Sequence, residues 1–343
     1  MEQLFGKTLD ELKQIVKDLG LPAFTAKQIA DWLYKKEVRS IDEFSNLSKV
    51  GRAKLQERYE FGLTEPIRMQ QSIDGTRKYL FPICGSNFIE TAMIPDEDRV
   101  TVCVSSQVGC KMGCRFCMTG KQGFQASLKS TDILNQLRSI EEFSRITNIV
   151  FMGMGEPFDN MQEVLKTLEI LTSDWGYAMS PKRITVSSVG VVPGVKEFLE
   201  KSKCHLAISL HNPIAEQRKE FMPIQNKYPI SDVLDVIRSH DFGLQRRVSF
   251  EYIMFAGIND TPRHVSELAK LLKGIDCRVN LIRFHSIPDT PFQGSDEQTI
   301  QSFKDALNAR GVLTTVRASR GEDIQAACGL LSTKELVERK GKS

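Results

Sequence analysis

The chain has 343 residues, of which 41% are hydrophobic and 26% charged, so it can bury a sizeable core in two domains or in one large α/β unit with an appendage. Its net charge of +3 permits binding to nucleic acid but does not by itself argue for it. No apolar run approaches the ~18 residues of a membrane span, and the first residues lack the pattern of a secretory signal. With eight cysteines and no export signal, the chain is expected in the reducing cytoplasm, away from membranes.

Residues 1–66 show helical periodicity and predict a small N-terminal accessory domain. The first helix is expected to end at Gly20, and a capping box from Thr25 to Gln28 is expected to open the second. A third helix is predicted from Ser48 to about Tyr59. Because acidic and basic residues are balanced here, packing against the main domain is favoured over a substrate-docking role.

Residues 67–99 have the pattern of strands and predict a β-hairpin extension. The pair Asp74 and Gly75 is typical of a hairpin turn between two such strands. Glu90 lies inside the strand that follows. From the residues alone, a strand glutamate is most simply a solvated side chain on a polar face.

Residues 100–343 alternate predicted strands with amphipathic helical stretches, which indicates a parallel sheet with helices outside. The expected fold is α/β, a partial (βα)6 TIM-like barrel with the small helical domain attached. A last strand at 313–316 and a loop carrying Cys328 end the chain. The six barrel strands are predicted at 100–104, 148–152, 183–188, 205–209, 248–254 and 278–283.

The most informative local motif is a C-x3-C-x2-C loop after the first barrel strand, formed by Cys110, Cys114 and Cys117. Cysteine thiolates are the usual ligands of [4Fe–4S] clusters. No fourth cysteine lies nearby in the sequence, so one iron would keep an open coordination site, as a reactive metal centre requires. Structural zinc, which wants four ligands, fits this spacing less well, and a disulfide framework is not expected in a long chain without a secretory signal.

Further polar residues follow the other predicted strands, where the sites of such folds gather. Each could be a tight turn or a satisfied structural residue, but their common position at strand ends favours a shared site. These candidates are Gly155 and Glu156 after the second strand, Ser187 in the third, Ser209, Leu210 and His211 after the fourth, and His285 after the sixth.

Together these motifs resemble the radical S-adenosylmethionine superfamily and, within it, the RlmN/Cfr family of RNA methyltransferases. The resemblance runs over nearly the whole chain, including the helical N-terminal part. It is carried by the strings at 103–110, 151–157, 209–211 and 323–329.

The resemblance implies a role for each of these positions. Cys110, Cys114 and Cys117 would hold the cluster; Cys328 would carry the methyl group, and Cys103 would be the second catalytic cysteine. Glu90 aligns with the proton acceptor of the family, which replaces its interpretation as a solvated residue. The residues implied to bind S-adenosylmethionine are Gly155, Glu156, Ser187, Ser209, Leu210, His211 and His285, the last standing where the family has asparagine.

The implied reaction methylates C2 of adenosine in 23S ribosomal RNA, at the peptidyl-transferase centre, and in tRNA, at the adenosine 3′ of the anticodon. It would consume two S-adenosylmethionine molecules per turnover, one as methyl donor and one as radical source. It would also pass through a methylated Cys328, a transient disulfide between Cys103 and Cys328, and reduction by an electron donor such as flavodoxin or ferredoxin. Whether Glu90 or Cys103 takes the ring proton stays open.

Other functions remain in competition with this one. The Cfr branch methylates C8 of adenosine; Glu156-Pro157 and the stretch 320–323 favour the C2 branch, although base orientation decides the outcome. Another radical enzyme class, such as a mutase or a sulfur-insertion enzyme, is disfavoured by the pair Cys103 and Cys328. A non-catalytic iron–sulfur or zinc RNA-binding protein is the alternative that is not an enzyme.

Overall fold

In the computed structural model, which describes residues 1–83, 85–243 and 247–333, the chain begins with three helices. The first opens with a capping box, in which Thr8 and the side chain of Glu11 satisfy each other's backbone amides. The capping box expected at residue 25 is wrong: the second helix begins at Thr25 after Phe24, with no side-chain cap. The elements are β1 (Glu2–Gln3), α1 (Leu9–Asp18), α2 (Thr25–Tyr34), α3 (Lys49–Gln56) and β2 (Tyr59–Glu60).

A three-stranded antiparallel extension follows this helical part. The turn expected at Asp74 and Gly75 is present and joins the first two strands, with Gly75 in the left-handed region at φ 85°. The third strand pairs with the first strand of the parallel sheet, which makes the extension continuous with the core. These strands are β3 (Arg68–Gln71), β4 (Arg77–Ile83) and β5 (Asn87–Asp96).

The rest of the described chain alternates strands and helices, as predicted. Its strands are β6 (Arg99–Cys103), β7 (Gln107–Val108), β8 (Ala126–Ser127), β9 (Asn148–Phe151), β10 (Ile184–Ser188), β11 (His205–Ser209), β12 (Val248–Met254), β13 (Cys277–Arg283) and β14 (Thr314–Val316). Its α-helices are α4 (Met118–Gln122), α5 (Ser130–Arg138), α6 (Met161–Thr172), α7 (Val192–Lys201), α8 (Ala215–Phe221), α9 (Ile230–Ser239), α10 (Pro262–Leu271) and α11 (Glu297–Asn308).

The main sheet of the described residues has ten strands in the order β14-β13-β12-β11-β10-β9-β6-β5-β4-β3. Strands β6 and β9–β14 run parallel to one another, and β3–β5 add the antiparallel edge. Strand β12 is buried along its whole length, including Ser249 and Glu251, as expected for a strand of a parallel sheet covered by helices. The predicted α/β fold is confirmed, and the carboxyl ends of its parallel strands meet at one edge.

The backbone of the N-terminal part approaches α5 closely and accepts hydrogen bonds from two of its hydroxyl groups. The hydroxyl of Thr131 donates to the carbonyl of Phe5 at 2.6 Å, and that of Ser130 donates to the carbonyl of Gly6 at 3.0 Å. Gly6 has φ 85°, and a Cβ there would lie 2.7 Å from the amide nitrogen of Thr131. We propose residues 1–66, 67–99 and 100–343 as the domain boundaries; the last ten residues of the third lie outside the described part.

Among the described residues, no helix combines the length and the apolar composition needed to cross a bilayer.

Candidate active site

Two adjoining cavities open at the carboxyl ends of the parallel strands. The smaller has a volume of about 140 Å³ and brings together residues from four strand-end loops and the cysteine loop. The larger has a volume of about 350 Å³. Of the predicted site residues, the smaller cavity is lined by Cys110, Cys114, Cys117, Gly155, Glu156, Ser187, Ser209, His211 and Cys328.

The three loop cysteines follow the short strand β7 and carry free thiols. Cys117 is the residue that precedes helix α4, and Cys110 accepts a long hydrogen bond from the amide of Met112. Burial raises the pKa of the Cys110 thiol to about 12 and that of Cys114 further. Thiols this strongly protonated need a metal or another cation to hold them as thiolates.

The fold brings a fourth thiol to this cavity, which the spacing in the sequence did not reveal. Cys328 lines the smaller cavity together with Cys117, although the two residues are 211 positions apart in the sequence. Within the described residues, however, no three or more His, Cys, Asp or Glu side chains converge on a point that could hold a single metal ion. In an iron–sulfur cluster each thiolate binds its own iron.

Glu156 is buried and held in one orientation by backbone amides. The carboxylate accepts hydrogen bonds from the amides of Phe158 and Val189, both at 3.0 Å. Burial raises its pKa to about 7, against the opposing effect of these bonds. Gly155 before it has φ 99°, and a Cβ there would lie 2.5 Å from that of Gln107, so only glycine fits this turn.

His211 is buried as a neutral imidazole whose tautomer is fixed by the fold. The amide of Ile253 donates to Nδ1 at 3.0 Å, so the ring carries its proton on Nε2 and can donate from there. Burial lowers the pKa of His211 to about 3, and the nearby Arg218 cation acts in the same direction. The residue adopts φ 57°, and its backbone carbonyl accepts a hydrogen bond from the buried side-chain amide of Asn259 at 2.6 Å.

Leu210 contributes to this site through its backbone. Its side chain is buried in the main core, while its amide donates to the carbonyl of Glu251 at 3.0 Å. Its carbonyl accepts from the guanidinium of Arg218 at 3.0 Å. The structure therefore places Leu210 behind the cavity wall, beside Ser209 and His211 that line it.

The larger cavity holds the two cysteines predicted to be catalytic. Cys103 ends strand β6 and is buried, whereas Cys328 is exposed. Burial raises the pKa of Cys103 to about 12, and the neighbouring Cys328 acts in the same direction. Cys103 is therefore a protonated thiol at neutral pH. Arg317 lines both cavities and interacts electrostatically with both thiols.

His285 lines the larger cavity and not the one that holds the other predicted cofactor residues. Its Nε2 lies 3.1 Å from the hydroxyl of Ser319, and its Nδ1 lies 3.1 Å from a carboxylate oxygen of Glu322. The structure thus groups His285 with Cys103 and Cys328, and its contact with S-adenosylmethionine stays a prediction.

Glu90 lines neither cavity in this structure. One carboxylate oxygen lies 3.1 Å from Nζ of the buried Lys78, and the other accepts from the amide of Ser332 at 2.9 Å. Burial raises the pKa of Glu90, while Lys78 opposes that rise. The predicted proton acceptor is therefore a paired carboxylate that contacts the segment following Cys328.

The Cys328 loop is attached to the cysteine loop by hydrogen bonds to its backbone carbonyls. The amide of Met118 donates to the carbonyl of Gly329 at 2.8 Å, and the hydroxyl of Thr119 donates to the carbonyl of Leu331 at 2.6 Å. Since Cys117, Met118 and Thr119 are consecutive, these bonds set the position of Cys328 relative to the cluster loop.

Comparison with known proteins agrees with the geometry. Residues 104–272 match the radical SAM superfamily, and residues 2–61 match the ribosomal RNA large subunit methyltransferase N-terminal domain. A protein of Phocaeicola vulgatus named probable dual-specificity RNA methyltransferase RlmN is 58% identical over 98% of this chain and 97% of its own length. The chain belongs to the RlmN family. A Syntrophus aciditrophicus protein named dual-specificity RNA methyltransferase RlmN is 43% identical over 97% of both chains.

A solved structure supports the RlmN-family fold over the whole described chain. A radical SAM methyltransferase from Sphaerobacter thermophilus has a TM-score of 0.90 at 38% identity, covering 96% of this chain and 99% of its own. The cofactors of the superfamily are a [4Fe–4S] cluster and S-adenosylmethionine. The smaller cavity fits both, because it combines three thiols with a carboxylate, hydroxyls and a neutral imidazole donor.

Several polar residues of this RlmN-family site were not predicted from the sequence. Arg218, Glu251 and Arg317 are buried or lie on the cavity walls, and Lys78 pairs with Glu90. Arg218 and Lys78 stand beside other charged residues in the sequence, so periodicity gave no sign of their burial.

Proposed function

We propose that the chain methylates C2 of adenosine in 23S ribosomal RNA and in tRNA, as a radical S-adenosylmethionine enzyme. Relatives that match it over nearly their whole length are named dual-specificity RNA methyltransferases. The observation that carries the proposal is the position of Cys328 on the wall shared by the two cavities. A residue in that position can meet the cofactor on one side and the RNA base on the other.

A protein thiol is needed because an adenine C2 carbon is electrophilic and attacks a methyl sulfonium poorly. Cys328 is exposed, so as a thiolate it can take the methyl group by displacement. When bound, the cluster and S-adenosylmethionine supply that methyl group and, after one-electron reduction, the radical that removes hydrogen from it. The methylene radical left on Cys328 adds to the ring through its carbon. The ring radical so formed must lose the ring proton and one electron, which the cluster would accept.

Cys103 completes the reaction from the other side of the larger cavity. Its thiolate attacks the sulfur of Cys328, so that a disulfide forms and the bond from sulfur to the methylene carbon breaks, leaving its electron pair on the carbon. A proton then gives the methylated base, and a reductant restores both thiols. Because Cys103 is a protonated thiol in this structure, a base must first take its proton before the thiolate can attack. The ring proton is taken either by Glu90 or by Cys103 once it is ionised.

The remaining site residues receive supporting roles in this proposal. Cys110, Cys114 and Cys117 hold the cluster, and Glu156 binds the amino group of S-adenosylmethionine. His211 donates from Nε2, and Gly155, Ser187 and Ser209 line the cofactor cavity, with Leu210 behind its wall. His285 would reach the cofactor from the larger cavity.

The cellular setting follows from the same chemistry. Reduction of the cluster requires an electron donor such as flavodoxin or ferredoxin, and the substrates place the enzyme in the cytoplasm with no membrane partner. The lining of the larger cavity carries three arginines, Arg99, Arg317 and Arg320, and one carboxylate, Asp96, which pairs with Arg99 and Arg320. The excess of positive charge favours an RNA substrate.

The test is mass spectrometry of nucleosides from RNA incubated with reconstituted, reduced protein. Unmodified 23S ribosomal RNA and tRNA are supplied separately, and protein without reductant is the control. We expect 2-methyladenosine in both. Formation of 8-methyladenosine would establish the C8 alternative, and four irons without cleavage of S-adenosylmethionine would favour a binding protein.

A further inference from the structure

Arg218, in helix α8, is a fully buried cation without an ionic partner. Its side chain has no exposed surface, and within the described part of the chain no carboxylate lies at ion-pair distance from it. Burying an isolated charge costs several kcal/mol unless a counter-charge or an array of dipoles offsets it. The position of this charge beside the cluster loop therefore requires an explanation.

The guanidinium is held by four hydrogen bonds to neutral oxygens. It donates to the carbonyls of Val189, Ser209 and Leu210 at 3.0 Å each, and to the side chain of Gln225 at 2.6 Å. Three of these oxygens belong to the loops after β10 and β11 that form the smaller cavity. The charge is thus fixed directly behind the predicted cofactor site.

Helix α8 also contacts the cysteine loop. The amide of Arg115 donates to the carbonyl of Phe221 at 3.0 Å, and the rings of Phe116 and Phe221 lie 6.0 Å apart. Cys114 packs in the same apolar cluster as Phe221, and its thiol interacts electrostatically with Arg218. Few mobile dipoles screen the two groups from each other in such surroundings.

We infer that Arg218 is a positioning residue whose buried charge compensates the iron–sulfur cluster on Cys110, Cys114 and Cys117 and raises its reduction potential. The three thiolates bring three negative charges, and reduction adds another. A fixed cation nearby stabilises the reduced cluster more than the oxidised one. The inference rests on the proposed cluster site. The negatively charged cluster would be the counter-charge of the Arg218 guanidinium.

The alternative is that Arg218 only ties the two loops together. Its hydrogen bonds would then matter and its charge would not. Arg218→Met removes both charge and hydrogen bonds, whereas Arg218→Lys keeps the charge but loses the planar fork. Arg115→Gln is a matched control, because it removes an exposed cation from the cluster loop itself.

The experiment measures iron and sulfide content and then the midpoint potential, by an anaerobic titration followed by electron paramagnetic resonance. For Arg218→Met we expect reduction to be at least about tenfold less favourable, about 59 mV more negative for a one-electron couple. Arg218→Lys and Arg115→Gln should stay close to the unaltered protein. A shift confined to Arg218→Met supports charge compensation.

The remaining outcomes are also decisive. A complete cluster with unchanged potential in Arg218→Met overturns the inference, as do equal shifts in Arg218→Met and Arg218→Lys. If Arg218→Met holds no cluster, a normal cluster in Arg218→Lys still supports the need for charge, and loss of the cluster in both variants overturns it. A cluster-free unaltered protein would instead refute the cluster site itself, which separates the two failures.

Discussion

The carboxylate of Asp74 accepts a hydrogen bond from the amide of Gly321 at 2.8 Å, which ties the β3–β4 turn to the segment leading to Cys328. The same turn contacts Asp323, whose carboxylate accepts from the hydroxyl of Ser72 and from the amide of Ile73. The β-hairpin extension therefore supports the loop that carries the predicted methyl-accepting cysteine. This role goes beyond the turn formation that its sequence indicated.

Removing this contact should loosen the Cys328 loop. Burial raises the pKa of Asp74, but hydrogen bonds from Gly321 and Thr76 lower it by more, so the pKa falls to about 2. The stabilisation is therefore complete above pH 3.8 and is lost as the pH falls through about 2. At neutral pH, Asp74→Ala should speed amide hydrogen exchange at residues 319–331 about tenfold, since hydrogen bonds to charged groups contribute ~1.5–3 kcal/mol.

Asp98→Ala is the matched control for this experiment, because Asp98 is an exposed carboxylate in the turn between β5 and β6. It should leave exchange in the Cys328 loop unchanged. Equal exchange rates in Asp74→Ala and the unaltered protein would show that the hairpin does not hold the loop.

The variants of the two cavity cysteines should fail at different steps. Cys103→Ala should accumulate protein joined to RNA through one carbon on Cys328, because no thiol remains to break that bond. Cys328→Ala should never acquire a methyl group or form the adduct. A denaturing gel with nuclease and reducing agent detects the adduct, which nuclease should shorten and the reducing agent should leave intact.

Two controls make this result specific. Cys277→Ala removes another buried thiol, outside both cavities, and should turn over normally. Iron analysis of Cys328→Ala should still show four irons, which distinguishes a methyl carrier from a fourth cluster ligand. Normal turnover of Cys103→Ala without adduct would reduce Cys103 to a packing residue.

The contacts of a site residue could be predicted from the sequence only where its partners lie close to it in the sequence. The cysteine loop was predictable because all three thiols stand within one short segment. The Lys78–Glu90 pair was not, because it depends on the β4–β5 register, in which Leu80 faces Glu90 and Lys78 lies diagonally across. The burial of Arg218 was equally hidden, because α8 has charged residues throughout and only its packing on the loops after β10 and β11 buries one of them.

The sequence indicated which residues follow the ends of strands, but not which of the two cavities each of these residues lines. His285 follows β13 as expected, but it lies with Cys103 in the larger cavity, since two cavities share the same edge of the sheet. The position of Cys328 on both of them depends on long-range contacts of the final loop, which no local pattern encodes.

Breaking the Lys78–Glu90 pair from one side should be strongly destabilising. The two side chains are only 8% and 12% exposed, so Lys78→Met would leave Glu90 buried without its counter-ion. Removal of one partner of a buried pair typically costs ~3–5 kcal/mol. Urea unfolding at neutral pH should show a loss of that order.

The double variant Lys78→Met/Glu90→Gln serves as the matched control. A glutamine can still accept from the amide of Ser332 and needs no counter-ion, so much of the lost free energy of unfolding should return. Two additive losses would contradict a direct interaction between the side chains.

The buried Glu156 should make the free energy of unfolding depend on pH in the cluster-free protein. Burial raises its pKa from 4.5 to about 7, so the folded state binds the proton more tightly than the unfolded state does. Its stabilising contribution is therefore complete below pH 4.5 and is lost as the pH rises through about 7. At 1.36 kcal/mol per pKa unit, the change across this window is about 3 kcal/mol.

Glu156→Gln lacks this titration, so the unaltered protein should lose stability relative to that variant between pH 5 and pH 8 in urea unfolding. Glu200→Gln, at an exposed position of α7, keeps Glu156 and should show the same pH dependence as the unaltered protein. Binding of S-adenosylmethionine should change in the opposite direction, becoming tighter as the pH rises through about 7, because its amino group is attracted to the ionised carboxylate. Parallel stability curves for Glu156→Gln and the unaltered protein would mean that Glu156 keeps one protonation state over this range.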